Sequence, residues 1–161
     1  MSRDQGAIPV LDLSSARQPY GSFRPEFIEQ LRHATHDVGF FQITGFGGRP
    51  GQADELLDLI RRFFELPLEE RMKLDNRFSP HFRGYTRMGT EVTQGRADAR
   101  EQIDYSPERE PVRDYPDDQP YWLLQGPNLW PDAAFPELRP AAMEWADLMS
   151  GVGMELLRAI A

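Results

Sequence analysis

A long apolar stripe near the C-terminal end constrains this chain most. Met143, Ala146, Met149, Val152, Leu156 and Ile160 recur every three or four residues across positions 136–161, and Trp145 and Leu148 widen the stripe. That spacing puts the side chains on one face of an α-helix, a face that has to be buried. Gly151 and Gly153 interrupt it. Each costs about 1 kcal/mol relative to alanine, which close packing at the glycines is expected to offset. No glycine cap, proline stop or polar tail follows Ile160. The helix is therefore expected to lead into further protein.

Bulk composition narrows the classes. A length of 161 residues suits one domain. With 40% hydrophobic and 27% charged residues the chain has the balance of a globular protein, not of a disordered one. A net charge of −8 argues against a nucleic-acid backbone or an anionic membrane as the main partner. The absence of cysteine excludes disulfides, zinc–thiolate sites, iron–sulfur clusters and thiol catalysis. Residues Met1 to Gly6 show no apolar leader, and no run approaches the roughly 18 apolar residues of a membrane span. A cytoplasmic location is the expectation.

The remaining elements follow from pattern. Residues 8–13 read as a short strand that Pro9 confines to an edge or a beginning. Residues 23–37 read as a helix carrying Phe27, Ile28, Leu31 and Ala34 on one side. Residues 40–44 form the best strand, closed by Gly45. Pro50 opens a second helix with a stripe of Leu56, Leu57, Ile60, Phe63 and Phe64, and Pro67 starts a short third. Residues 74–79 read as irregular. Residues 83–86 and 100–105 read as strands joined by a polar loop around Gly95. Residues 107–127 form a loop rich in proline and acidic residues, long enough to require that it wraps around something.

Taken in order, these blocks resemble one enzyme family. Ile8-Pro9-Val10-Leu11-Asp12-Leu13 is similar to the first strand of the isopenicillin N synthase-like oxygenases, which are iron(II) enzymes mostly dependent on 2-oxoglutarate. Val38-Gly39-Phe40-Phe41-Gln42-Ile43-Thr44-Gly45 resembles their glycine–aromatic strand, with Phe46-Gly47 where the family often has histidine and glycine. Phe63 to Lys73 resembles the helix–proline–helix block. Arg83-Gly84-Tyr85-Thr86 with Glu91, then Arg100 to Tyr105, resembles the following strand pair, and Gly126 to Pro131 the loop before the long helix. No single block is specific; five in order across the chain are.

The resemblance implies Fe(II) and 2-oxoglutarate in the parent enzyme. Activating dioxygen at iron needs two histidines and a carboxylate on one face, with other positions left open. The family supplies His-x-Asp, a distant histidine and an Arg-x-Ser. The histidines here are His33, His36 and His81, and none begins a His-x-Asp. His33 and Asp37, at i and i+4, read as a surface pair. Arg77-Phe78-Ser79 matches Arg-x-Ser only as letters, far upstream of its place in the family. No catalytic, cofactor-binding or metal residue is assigned to the chain.

The resemblance also puts the strand around Arg83-Gly84-Tyr85 near the mouth of the substrate pocket. Arg83, Tyr85 and Arg87 are the candidate substrate-binding residues. A guanidinium can grip a substrate carboxylate in a bidentate way that lysine cannot. The competing reading gives the arginines structural ion pairs with Glu91, Glu101 or Asp104 and makes Tyr85 half-buried strand packing. Asn128 and Trp130 are read as fixing the loop before the last helix.

The expected fold is α+β: helices packed on a few short strands that complete a jelly-roll barrel lying beyond residue 161. The chain is expected to be the N-terminal scaffold and pocket rim of a small-molecule oxygenase, inactive by itself and aggregation-prone when alone. Its expected partners are a small-molecule substrate and its own barrel domain. The alternative is a free-standing binding or assembly module that recruits a partner chain through a sheet edge.

Overall fold

Pro25 starts the first helix, because its ring presets the helical φ and its missing N–H is not needed in the first turn. The structure, a computed structural model, describes residues 8–19 and 21–161. The segment Met1 to Gly6, read above for a leader, lies outside them. Helix α1 (Pro25–His33) buries Phe27 and Leu31. It begins later than the sequence pattern predicts, because Phe23 forms an extended bridge to Arg17. It runs on through one π-helical turn, Ala34–Val38, which Gly39 closes.

The chain divides into two compact units, Met1–Pro50 with Leu148–Ala161, and Gly51–Asp147. In the first, β1 (Val10–Asp12) pairs in parallel with β2 (Gln42–Thr44), placing Leu11 opposite Ile43. Phe40, predicted to open the second strand, stays outside the ladder and exposed. The core consists of Leu11, Leu13, Ala16, Phe27, Leu31 and Ala34, joined by Val152 from the last helix, α4 (Leu138–Ile160). Arg17 reaches Glu155 at 2.7 Å and lies over the Phe23 ring.

Part of the α4 stripe is left open by the described residues. Among the described residues nothing lies within 4 Å of the space a side chain at Gly151 or Gly153 would occupy, so they do not supply the packing predicted there. Ile160 is exposed, as are Met154 and Leu157. Val152 and Leu156 face the core, while these three project from another side of the same helix.

In the second unit, α2 (Gln52–Glu65) buries Leu56 and Phe63. Leu57, placed in the stripe by sequence, is exposed. It sits about 100° around the helix from Leu56, too far to share a narrow buried face. Pro67 precedes α3 (Leu68–Met72), whose first turn is acidic (Glu69, Glu70) and whose last turn carries Arg71, as the helix dipole favours. Residues Asn76–Phe78, predicted irregular, form a 3-10 turn capped by the Asp75 carboxylate. Then β3 (Gly84–Thr86) pairs antiparallel with β6 (Gln102–Asp104), Tyr85 opposite Ile103. The polar loop between them contains a small hairpin of β4 (Val92–Thr93) and β5 (Arg96–Ala97). Leu56, Phe63, Leu74, Tyr85, Phe135, Leu138 and Ala142 form the second core.

The long loop carries a short 3-10 turn, Pro120–Leu124, whose residues are largely exposed. Asn128 donates to Ser106 O (2.6 Å) and accepts from Ser106 N (2.9 Å), closing the loop at its base. Glu108 accepts from the Trp130 indole and from Asn128 N. Burial opposes ionisation of Glu108, but those hydrogen bonds and the nearby Arg139 outweigh it and hold the carboxyl below its ordinary range. This is the loop-fixing role assigned to Asn128 and Trp130. The observed architecture is α+β, as expected, and no closed barrel forms among the described residues.

Candidate functional site

The site is built on β3 and the turn before it. Gly84 opens the strand at φ +110, and the Leu74 carbonyl occupies the place its side chain would take. Tyr85 N donates to that same oxygen at 2.7 Å. Only glycine permits the approach. Phe82 sits in the left-handed region at φ 58, which is costly for an aromatic residue. Arg83 holds this turn: its Nη1 donates to the carbonyls of His81 (2.6 Å) and Phe82 (3.0 Å), and its Nη2 to Leu124 O (2.8 Å). His81 adds a bond from Nδ1 to Leu123 O at 2.7 Å. A carbonyl only accepts, so Nδ1 carries the proton. The ring of His81 fills the space where a side chain at residue 126 would begin, which explains Gly126.

Tyr85 is buried, at 1% exposure, and not half-buried as its strand position suggested. Its hydroxyl donates to Glu101 Oε2 at 2.5 Å and accepts from Arg71 Nη1 at 3.3 Å, and Arg71 also pairs directly with Glu101. Burial, followed by the Glu101 contact, pushes the phenol up to about 12. The ion-pair partners suggested by sequence are therefore taken by others. Glu101 serves Arg71 and Tyr85, Glu91 serves Arg100 (2.8 Å), and Asp104 accepts from Gln102 (3.1 Å). Arg71 gets to Glu101 because the end of α3 lies beside Tyr85, with its guanidinium 5.4 Å from the ring centroid.

The three candidate residues separate. Tyr85 and Arg87 border a cleft of about 360 Å³ with Asn76, Phe82, Thr86 and Glu91. Arg83 borders a different one of about 260 Å³ with Arg109, Tyr121, Trp122 and Gln125. Among the described residues no hydrogen bond or ion pair holds the Arg87 guanidinium. Its charge still helps to lower the Asp75 carboxyl, after the larger effect of Arg77. Sequence reasoning did not single out Arg71, Phe82, Arg109, Tyr121 or Trp122. The available signal was the long 107–127 loop, whose length demanded a surface to cover.

The described residues do not fit a catalytic iron. No group of three or more His, Asp or Glu side chains among them is placed to hold a metal. His33 and His36 do meet at Asp37, but each Nδ1 bonds a different oxygen of the same carboxylate (2.7 and 2.9 Å), and all three are exposed. Their donor atoms are turned toward one another instead of converging on a shared point. These bonds, His36 first, hold the Asp37 carboxyl below its ordinary range.

Residues 8–133 match the family described as "non-haem dioxygenase in morphine synthesis N-terminal". The chain belongs to that family. As a non-haem dioxygenase N-terminal region it has curated relatives over nearly its full length. It is 36% identical over 156 residues to the 2-oxoglutarate-dependent dioxygenase frbJ of Dothideomycetidae sp., covering 96% of this chain and 40% of that protein. It is 31% identical over 163 residues to the 2-oxoglutarate-Fe(II) type oxidoreductase hxnY of Emericella nidulans, covering 96% and 45%. Its fold matches that of a full-length Neurospora crassa protein crystallised in complex with alpha-KG, with a TM-score of 0.73 at 20% identity over 100% of this chain and 48% of that one. The dioxygenase N-terminal region thus spans less than half the length of these proteins. No helix among its described residues is long and apolar enough to cross a membrane.

Proposed function

We propose that this chain is the scaffold and pocket-rim part of a cytoplasmic non-haem Fe(II), 2-oxoglutarate-dependent oxygenase that hydroxylates, desaturates or cyclises a small molecule. The observation that carries the reading is the 36% identity to a 2-oxoglutarate-dependent dioxygenase along 96% of the chain. In this reading the iron and the co-substrate are held by residues outside this chain, on a jelly-roll barrel. The exposed Met154, Leu157 and Ile160 face of α4, with the open space at Gly151 and Gly153, packs against that barrel. The β3 region forms one wall of the substrate pocket. Arg87 offers a guanidinium that no ion pair among the described residues neutralises, Arg83 shapes the wall through three backbone carbonyls, and Tyr85 supports it from below.

The test is succinate formation from 2-oxoglutarate with Fe(II). A protein joining these 161 residues to the reading frame that follows them is expected to turn over 2-oxoglutarate, and that frame is expected to contain a His-x-Asp, a later histidine and an Arg-x-Ser. A stop codon directly after Ala161, together with no succinate formed, overturns the proposal.

A further inference from the structure

We infer that the Arg83–Arg109 cleft is a binding site for a small aromatic carboxylate. Three observations point there. The cleft is cationic in an acidic protein: Arg83 and Arg109 border it, and no Asp or Glu among the described residues does. Neither guanidinium is neutralised by a carboxylate among the described residues. Arg83 directs its Nη groups at neutral carbonyls, and its buried Nε–H has no partner. Arg109 has no hydrogen bond or ion pair at all among the described residues.

The aromatic wall is fixed in advance. Tyr121 and Trp122 meet with ring centroids 5.4 Å apart, and one acceptor, Gln119 Oε1, receives both the Tyr121 hydroxyl (2.9 Å) and the Trp122 indole N–H (3.0 Å). That tether leaves apolar ring surface at a cleft that Arg83 and Arg109 also border. A ligand with a planar ring and one carboxylate satisfies both, the ring against the indole and the carboxylate on the guanidinium. The volume, about 260 Å³, lies below the range of about 300 Å³ upward that suits drug-sized ligands, so the occupant is a single-ring acid. The ties from His81 Nδ1 to Leu123 O and from Arg83 Nη2 to Leu124 O join the segment that follows Tyr121 and Trp122 to the turn that carries Arg83.

This inference rests on the pocket-rim reading above and gives it a substrate class. It is tested by titrating the protein with phenylacetate and with phenylacetamide, following the indole N–H resonances of its three tryptophans, with Trp122→Phe assigning the relevant one. Phenylacetate is expected to move the Trp122 resonance and to leave those of Trp130 and Trp145 unmoved, while phenylacetamide moves none. Arg109→Gln, at an exposed position that the fold does not use, is expected to weaken phenylacetate about tenfold or more. An Arg61→Gln control, on the exposed side of α2 and away from both clefts, binds as the unaltered protein does. Equal binding of acid and amide, an unmoved Trp122 resonance, or unaltered affinity in Arg109→Gln overturns the inference. Such a failure leaves 2-oxoglutarate turnover untouched, whereas absent turnover with phenylacetate binding intact sinks the oxygenase reading alone.

Discussion

The Leu74 carbonyl oxygen stands where a side chain on residue 84 would begin, so Gly84 is the only residue this crossing accepts. The oxygen is that close because it accepts from the next residue's amide, Tyr85 N, at 2.7 Å. Replacing the glycine therefore disturbs the bridge that aligns Asp75 with Tyr85. Gly84→Ala costs about 1–2 kcal/mol for its left-handed backbone and more for the overlap. The expected loss is at least about 2 kcal/mol, read as a lower urea midpoint. An unchanged midpoint would show that the 74–75 segment moves aside freely.

Tyr85 gives the fold an alkaline limit. Its phenol is held neutral up to about 12, above the ordinary 10.0, chiefly by burial. A proton bound more tightly in the folded state stabilises fully below pH 10, and that stability is lost as the pH rises through about 12. Stability is expected to decline across that window, together with a rise in phenolate absorbance, and Tyr85→Phe to remove this part of the decline. The same variant leaves Glu101 with one partner fewer, at a cost of about 1–3 kcal/mol near neutral pH.

Asp75 sets an acid limit. The Arg77 side-chain contacts at 2.8 and 2.9 Å hold its carboxyl below the ordinary 3.8, against some opposition from burial. A carboxyl with a depressed folded value stabilises above 3.8, and that contribution disappears as the pH falls through the lower folded value. Asp75→Asn keeps the side chain's size and flattens the acid limb of the unfolding curve. Asp75→Ala also loses the cap on the 3-10 turn, about 1 kcal/mol. A full acid limb in Asp75→Asn would assign that limb to other carboxylates.

The His33–Asp37–His36 cluster is expected to be inert toward metal. All three side chains are more than half exposed, and the imidazole Nδ1 atoms already face the carboxylate. Fe(II) or Ni(II) should leave the melting temperature of this chain unchanged, and Asp37→Asn should behave identically. A metal-dependent rise that Asp37→Asn abolishes would contradict the geometry described above.

Much of the fold was legible because apolar spacing reports burial directly. Phe27 and Leu31 on α1, Leu56 and Phe63 on α2, and Val152 on α4 were read as buried and are. Periodicity failed at the margins of each stripe. Leu57 and Ile160 carry the right chemistry at roughly the right angle but lie outside the contact. The β4–β5 hairpin was missed because its strands are two residues long, too short for alternation to show. The candidate site was legible only as a region. Arg83-Gly84-Tyr85 drew attention as a motif, while the partners that define it, Arg71, Glu101, Leu74 and Leu124, lie in distant parts of the chain, Leu124 as far as 41 positions from Arg83.

The sequence by itself determined that the chain is α+β, that it cannot use thiol chemistry, and that its blocks follow the order of the non-haem dioxygenase N-terminal family. Local propensity and covalent composition are properties of neighbouring residues, so they can be read in one dimension. Only the tertiary structure decided that Arg83 binds backbone carbonyls while Arg87 stays without an ion pair among the described residues, and that Arg83 and Tyr85 border different clefts. A guanidinium's role depends on which acceptors lie within about 3 Å of it, and chain crossings set those distances, whatever the motif that contains it.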